Sequence, residues 1–295
     1  MDDLLQAAEA RLSEETGALF RVAGKNRLGG GCIHDATRLR GEDGRFFFLK
    51  RNRSEFAESF RIEAEALGEL HAAGGLRVPQ PYGVVESGGE AALLLEYLPM
   101  GGGTGKARYE DLGRGLAKVH ETRKTAFGWH RDNWIGSTPQ YNGFEEDWVA
   151  FLREKRLRPQ IEWARERGLR LCEAEALLAA LPAFFESYAP EPSLLHGDLW
   201  AGNVEFMDDG TPVIFDPATY YGDRETDLAM TEMFGGFPAA FWKAYEAEWP
   251  IDHGYRRRRD LYNLYHLLNH YNLFGGGYGG SAERTVASLL RASGS

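Results

Sequence analysis

Eleven consecutive residues, Leu194-Leu195-His196-Gly197-Asp198-Leu199-Trp200-Ala201-Gly202-Asn203-Val204, restrict this chain more than any other stretch. They place Asp198 five positions before Asn203, with His196 two before the aspartate. Pro212-Val213-Ile214-Phe215-Asp216 follows and supplies a second aspartate behind an apolar run. Apolar flanks on every polar residue predict that these groups stand at the ends of buried strands. Asp208-Asp209-Gly210 reads as a hairpin turn, which would make Asn203 and Asp216 neighbours at one mouth. An amide and a carboxylate there offer the hard oxygen ligands that suit Mg²⁺. Asp198 could then orient and deprotonate a hydroxyl, with His196 beside it. The plainer alternative is that Asp and Asn only cap turns, which does not account for three matched offsets.

The spacing H-x-D-x-x-x-x-N followed by a metal-binding Asp is that of phosphoryl transfer in kinase-like sites, so a nucleotide-binding half is expected upstream. Arg45-Phe46-Phe47-Phe48-Leu49-Lys50 predicts a strand ending on a lysine, after the turn Glu42-Asp43-Gly44. Ser54 is placed to cap a helix running to about residue 73, with Phe60, Glu63, Leu67 and Leu70 on one face. A glutamate on an apolar face requires a cation, and Lys50 is the candidate; two unrelated surface charges are the alternative. Gly29, Gly30, Gly31 and Cys32 form either a loop cradling a polyanion or an ordinary turn. Tyr82–Glu86 and Ala91–Leu98 predict a strand pair around the turn Ser87-Gly88-Gly89. The Pro/Gly-rich segment after it marks a hinge near 96–106, dividing lobes 1–98 and 99–295. Backbone groups of Glu96, Tyr97 and Leu98 would meet an adenine. Gly101–Lys106 imitates a phosphate-binding P-loop, but Met100 and Ala107 stand where glycine and a hydroxyl residue are needed.

Helices are expected over 2–15, 109–121, 145–167 and 173–188, with an aromatic-rich helical C-terminal part. Asp227 is placed to hold the backbone of the catalytic loop or to charge a helix N-terminus, roles that do not exclude one another. Arg256–Arg259 reads as a solvated helix turn. His266 and His270, four apart, lack the glutamate of a zinc protease motif and read as packing groups or as a polar edge of the substrate pocket. At 295 residues, with 43% hydrophobic and 13% aromatic content, the chain can hold two lobes with real cores. A net charge of −10 lacks the basic footprint of a nucleic-acid binder. Two cysteines, Cys32 and Cys172, make no disulfide framework. With no signal-like N-terminus and no membrane-length apolar run, a cytoplasmic protein is expected.

His196–Asn203, Asp216-Pro217-Ala218-Thr219-Tyr220-Tyr221-Gly222-Asp223-Arg224-Glu225, Met233-Phe234-Gly235-Gly236-Phe237 and Leu268–Gly275 together resemble the fructosamine kinase (ketosamine-3-kinase) family. That family shares the protein-kinase-like fold with aminoglycoside and choline phosphotransferases. The resemblance implies an α+β chain with a small antiparallel β-sheet N-lobe and a mostly helical C-lobe. It also implies transfer of phosphate from ATP to the 3-hydroxyl of a ketosamine, after which the free amine is released. By the same resemblance Asp198 is the base, Asn203 and Asp216 hold Mg²⁺, Lys50 with Glu63 orients phosphates, and the glycine cluster covers the nucleotide. Trp200, Tyr220, Tyr221, Asp223, Glu225 and His270 fall on the substrate side. Cys32, on the covering loop, would be open to oxidation or to pairing a homodimer; a monomer is the alternative. A same-fold kinase for an aminoglycoside, choline or a sugar, a nucleotide-binding pseudokinase and a non-enzymatic scaffold are the other readings.

Overall fold

The computed structural model describes residues 3–28, 34–101, 103 and 105–294. Gly29, Gly30, Gly31 and Cys32, and with them the expectations of a covering loop and a redox-linked dimer, lie outside the described residues. The chain forms two compact units: Met1–Thr104 with Glu205–Asp216, and Gly105–Val204 with Pro217–Ser295. The first therefore extends past the expected boundary at residue 98 and takes in a distant segment.

The first unit is built on the strands β1 (Val22–Leu28), β2 (Asp35–Gly41), β3 (Phe46–Arg53), β4 (Pro81–Ser87) and β5 (Glu90–Glu96), an antiparallel sheet in the order β1-β2-β3-β5-β4. Helix α1 (Asp3–Thr16) buries Leu4, Ala8 and Leu12, one residue per turn, against Phe20, Leu39, Phe47, Leu49, Ala92 and Leu94. Alternation along β3 gives Phe47 and Leu49 to that core and turns Lys50 to the other face. Gly88 and Gly89, with φ of 60° and 80°, form the two-residue loop between β4 and β5. Positive φ at both loop residues matches the right-handed strand twist, and glycine adopts it without steric cost.

Helix α2 (Ala57–Ala73) buries Phe60, Ile62, Ala66, Leu67 and Leu70. Ser54 does not cap it, contrary to expectation: Ser54–Phe56 is a 3₁₀ turn, and the Ser54 amide donates to the Gly89 carbonyl at 2.9 Å. Chain entry is thus set by the hairpin loop. The strand Pro212–Ile214 joins this unit through Arg77, whose carbonyl accepts from the Ile214 amide at 3.0 Å. The expected hairpin turn at Asp208–Gly210 is present, with the Met207 amide donating to the Thr211 carbonyl at 3.0 Å.

The second unit is mostly helical. Helix α3 (Lys106–His120) packs on α8 (Ala239–Glu248). Helices α4 (Trp148–Phe151) and α5 (Arg158–Glu166) are separated by a π-helical turn, Leu152–Leu157, where one continuous helix was expected. Pro159 has no N–H, so the regular ladder cannot continue through it; the Arg158 amide instead reaches back five residues to the Arg153 carbonyl. Helix α6 (Ala174–Ala180) passes into a 3₁₀ turn at Leu181–Phe184, and the strands Ser193–Leu195 and Tyr220–Gly222 pair antiparallel. Helices α7 (Glu225–Thr231), α9 (Tyr255–Phe274) and α10 (Gly277–Ser293) complete the unit. Among the described residues no helix is long and apolar enough to cross a membrane.

His266, on α9, is fully enclosed, and burial drives its imidazole down from the ordinary 6.5 to about 3. Below pH 6.5 the unfolded chain binds a proton that the native ring refuses, so this group's contribution is present at neutral pH and lost on acidification. Between pH 7 and pH 5 the loss is about 2 kcal/mol. Urea unfolding of the wild type and His266→Asn at both pH values checks this. The variant's stability should change less with pH, by about that amount; equal pH dependence would refute the assignment.

Candidate active site

In the first unit the site is organised by Lys50 of β3. Its Nζ donates to Glu63 Oε1 of α2 at 2.6 Å and to Asp216 Oδ1. Burial alone would lower the ammonium's pKa, but the Glu63 and Asp216 carboxylates outweigh it and hold the group charged. The alternative of two unrelated surface charges is thereby removed. Asp216 has φ +56°, a left-handed conformation that Asp tolerates better than most residues, and its side chain is half exposed. His34, just past the glycine cluster, packs its ring on Phe60 at 4.9 Å and Phe56 at 5.5 Å, with Nδ1 2.9 Å from Asn52 Nδ2. The Glu96 amide already donates to the Gln80 carbonyl at 2.8 Å, and the Glu96 side chain pairs with Arg77. That amide is therefore engaged within the unit; Leu98 is buried, and Tyr97 carries Arg38 over its ring.

In the second unit the loop after strand Ser193–Leu195 is held from below by Asp227 of α7. Its carboxylate accepts the His196 amide at 2.7 Å and the Gly197 amide at 2.8 Å. Asp227 thus holds the loop backbone and also stands in the first turn of α7, so the two roles expected of it coincide. Burial would raise this carboxyl, but hydrogen bonds from the His120 ring and the Gly197 amide hold it below the usual range. Gly197 has φ +83°, and a Cβ there would fall 2.1 Å from the Ala218 carbonyl oxygen, so only glycine fits the loop. The Ala218 amide donates to the His196 carbonyl at 2.8 Å. Asn203 Nδ2 then donates to both the backbone oxygen of Asp198, at 2.8 Å, and its Oδ2, at 3.1 Å. The five-residue spacing is thus a folded-back loop that orients the Asp198 carboxylate.

His196, expected beside the base, is fully buried, and its Nδ1 accepts the Asp198 amide at 3.3 Å; it shapes the loop that presents the aspartate. His120, which the sequence did not single out, places Nε2 3.3 Å from Asp227 Oδ2 and Nδ1 2.8 Å from the Tyr245 hydroxyl. Burial lowers its pKa and keeps it neutral at neutral pH. The only signal for it was a polar residue closing the apolar face of α3.

Four expected substrate residues are enclosed instead. Tyr220 lies under the Arg156 guanidinium, whose carbon is 3.9 Å from the ring centroid, and Tyr221 under Lys124 at 4.3 Å. Asp223 accepts from the hydroxyls of Tyr188, at 2.9 Å, and Tyr262. Glu225 makes two hydrogen bonds to Arg258, at 2.7 and 2.9 Å, and burial lifts its carboxyl to about 7. Side chains sealed in this way brace the unit and cannot meet a substrate arriving from solvent. Arg258 is therefore a buried partner and not part of a solvated turn. Of the substrate-side set, Trp200 and His270 remain partly exposed. Lys106 begins α3, stands exposed and pairs with Glu110 at 3.7 Å, which agrees with rejecting the P-loop reading.

A strand lysine paired to a helix glutamate, together with a backbone-anchored Asp–Asn loop, defines a kinase-like phosphotransferase. The sequence profile of the fructosamine kinase family matches residues 4–292. The chain is 42% identical over 288 residues to a probable ketoamine kinase of Synechocystis sp., covering 97% of both chains. It is also 42% identical over 271 residues to a chloroplastic protein-ribulosamine 3-kinase of Arabidopsis thaliana, covering 90% of this chain and 82% of the other. A crystal structure described as a candidate fructosamine-3-kinase from Haemophilus somnus superposes with a TM-score of 0.89 at 27% identity, over 97% of this chain and 98% of that one. The protein belongs to the fructosamine kinase family.

If Asp227 sets the loop geometry, Asp227→Asn keeps the shape but leaves one oxygen to serve two amides. Phosphoryl-transfer kcat should fall about 100-fold through misplacement of Asp198, with a lowered Tm. Unchanged kcat in a variant with lowered Tm would restrict Asp227 to a purely structural role.

Proposed function

We propose that this protein transfers the γ-phosphoryl group of ATP to the 3-hydroxyl of a ketosamine, with Asp198 as the general base and Lys50 as the phosphate-orienting cation. The observation that carries this reading is the Asp198–Asn203 loop anchored on Asp227, because it presents an oriented carboxylate suited to a positioned hydroxyl. Asp198 accepts the hydroxyl proton as the oxygen attacks the γ-phosphorus, the bond to the β–γ bridging oxygen breaks, and ADP leaves. Lys50, kept charged by two carboxylates, places positive charge where phosphate oxygens bind. Backbone groups of Glu96, Tyr97 and Leu98 would meet the base.

The donor set also fits Mg²⁺. Asn203 turns its Nδ2 toward Asp198, so its Oδ1 is the remaining ligand atom, and Asp216 adds carboxylate oxygen. Among the described residues no group of three or more His, Cys, Asp or Glu could hold a metal ion. Amide and carboxylate oxygens are each hard donors of the kind that Mg²⁺ accepts beside phosphate oxygens. When bound, the ion neutralises triphosphate charge. The 3-phosphorylated adduct decomposes and frees the amine, so deglycation of amines or proteins in the cytoplasm is the proposed outcome.

Asp198→Asn should lower kcat by about 10²- to 10⁴-fold while nucleotide still binds; near-normal turnover would refute the base assignment. Lys50→Ala should cripple activity and Lys106→Ala should not, and the reverse result would restore the P-loop reading. A coupled assay against fructosamines, ribulosamines, aminoglycosides and choline, with ³¹P NMR locating the phosphate, tests the acceptor. Turnover of an aminoglycoside or choline without any ketosamine would overturn the proposal.

A further inference from the structure

Asn133 and Gln140 face each other across a short hairpin of the second unit, in which Asn133–Ile135 pairs with Thr138–Gln140. Both side-chain amides are enclosed, and so are Asn142 and Arg156 beside them. Burying an amide costs free energy unless its donors and acceptor are met. The Gln140 amide is met at both atoms. Its Nε2 donates to Asn133 Oδ1 at 2.8 Å and to the Ala218 carbonyl at 3.0 Å, and its Oε1 accepts the Tyr265 hydroxyl of α9 at 2.9 Å. Asn133 Nδ2 donates to the Thr219 carbonyl at 2.8 Å, and Asn133 Oδ1 also accepts from Asn142 Nδ2 at 2.9 Å. Asn142 is oriented in turn by Arg156, whose Nη2 donates to Asn142 Oδ1 at 2.8 Å. Apolar side chains of the same shape could fill this volume at little cost. A fully satisfied polar network adds direction and rigidity to filling.

Two of these bonds leave the cluster of side chains, and they fall on consecutive carbonyls, Ala218 and Thr219. Ala218 is the residue against which the catalytic loop is folded. Its amide bonds to the His196 carbonyl, and its carbonyl oxygen is the atom that leaves room only for glycine at position 197. The pairing of strands Tyr220–Gly222 and Ser193–Leu195 ends at Tyr220 and Leu195. Ala218 lies beyond that last pair, so its carbonyl is fixed by a side chain and not by the strand ladder. We infer that Gln140 is a positioning residue for phosphoryl transfer, acting through the Ala218 carbonyl to hold the Gly197 turn and with it the direction of the Asp198 carboxylate. The inference rests on Asp198 as the general base. Asp227 holds the amides of this turn and Gln140 holds the carbonyl they pack against, so the two converge on one turn from different elements.

The test measures kcat, Tm and the KM values for ATP and ketosamine in Gln140→Met, which keeps the length of the side chain and removes both donations. The kcat should fall about tenfold through misdirection of Asp198, with both KM values within about twofold of wild type. Leu177→Ala, at a buried leucine of α6 outside the cluster, is the control; it lowers Tm through lost packing and leaves kcat unchanged. Combined with Asp227→Asn, the loss in kcat should be smaller than the product of the single losses, because both substitutions act on one turn. Should Gln140→Met fail to fold, Asn133→Ser, which weakens the same anchor, is read by the same criteria. A kcat that falls no further than in Leu177→Ala, or losses that multiply in the double variant, overturns the inference. Near-normal turnover of Asp198→Asn would mean that the base reading has failed, and the hold on the loop is then judged by amide hydrogen exchange over residues 194–200. Faster exchange in Gln140→Met than in wild type supports that hold, and unchanged exchange overturns it.

Discussion

A carboxylate with no access to water must find its hydrogen bonds inside the protein or give up its charge. Asp227 does the former by taking two consecutive amides at the start of the catalytic loop together with the His120 ring. Everything functional in the second unit follows from that anchor. The loop can enter only through a left-handed Gly197, must turn over His196, and then closes when the Asn203 amide folds back on Asp198. The Asp198 carboxylate is thus aimed by the fold of its loop rather than by its own packing. Reactive precision in this family member is a property of buried neighbours as much as of the reacting group.

The first unit solves a different problem, that of keeping a lysine charged inside a protein. Two carboxylates, one from a helix and one from the end of a short strand, surround its ammonium. The same logic of pairing explains why the run from Tyr220 to Glu225 resists a substrate role. Tyr220, Tyr221, Asp223 and Glu225 are each already matched to a cation or a hydroxyl, and each of the four is itself buried.

What was legible in the sequence was whatever depends on local spacing. Lys50 and Glu63 could be paired because the glutamate shares a helical face with Phe60 and Leu67, and β3 precedes that helix. The β4–β5 hairpin was legible from its glycines, and Asp227 from its position behind the loop. The misreadings share one cause: they depend on distant partners. Ser54 had the right residue type for a cap, but a carbonyl from the Gly88–Gly89 hairpin claimed its amide. Arg258 looked solvated among neighbouring arginines until Glu225 arrived from α7 to meet it. His196 matched a spacing pattern, but its burial and its contact with the Asp198 amide could be seen only in the folded loop. His120 left only a polar residue at the close of an apolar helix face, since its partner lies 107 positions away.

The π-helical turn at Leu152–Leu157 changes the meaning of chain length in this region. One residue more than the α-helix needs is absorbed as rotation, by about 100°, with no loop to advertise it. Upstream, Trp148, Phe151 and Leu152 face inward; downstream the inward set has moved on to Leu157, Ile161 and Ala164. Between the two phases Arg156 is turned under Phe151 and Tyr220. Among relatives, a gain or loss of one residue here would therefore exchange which side chains are core and which are surface, without moving the path of the backbone.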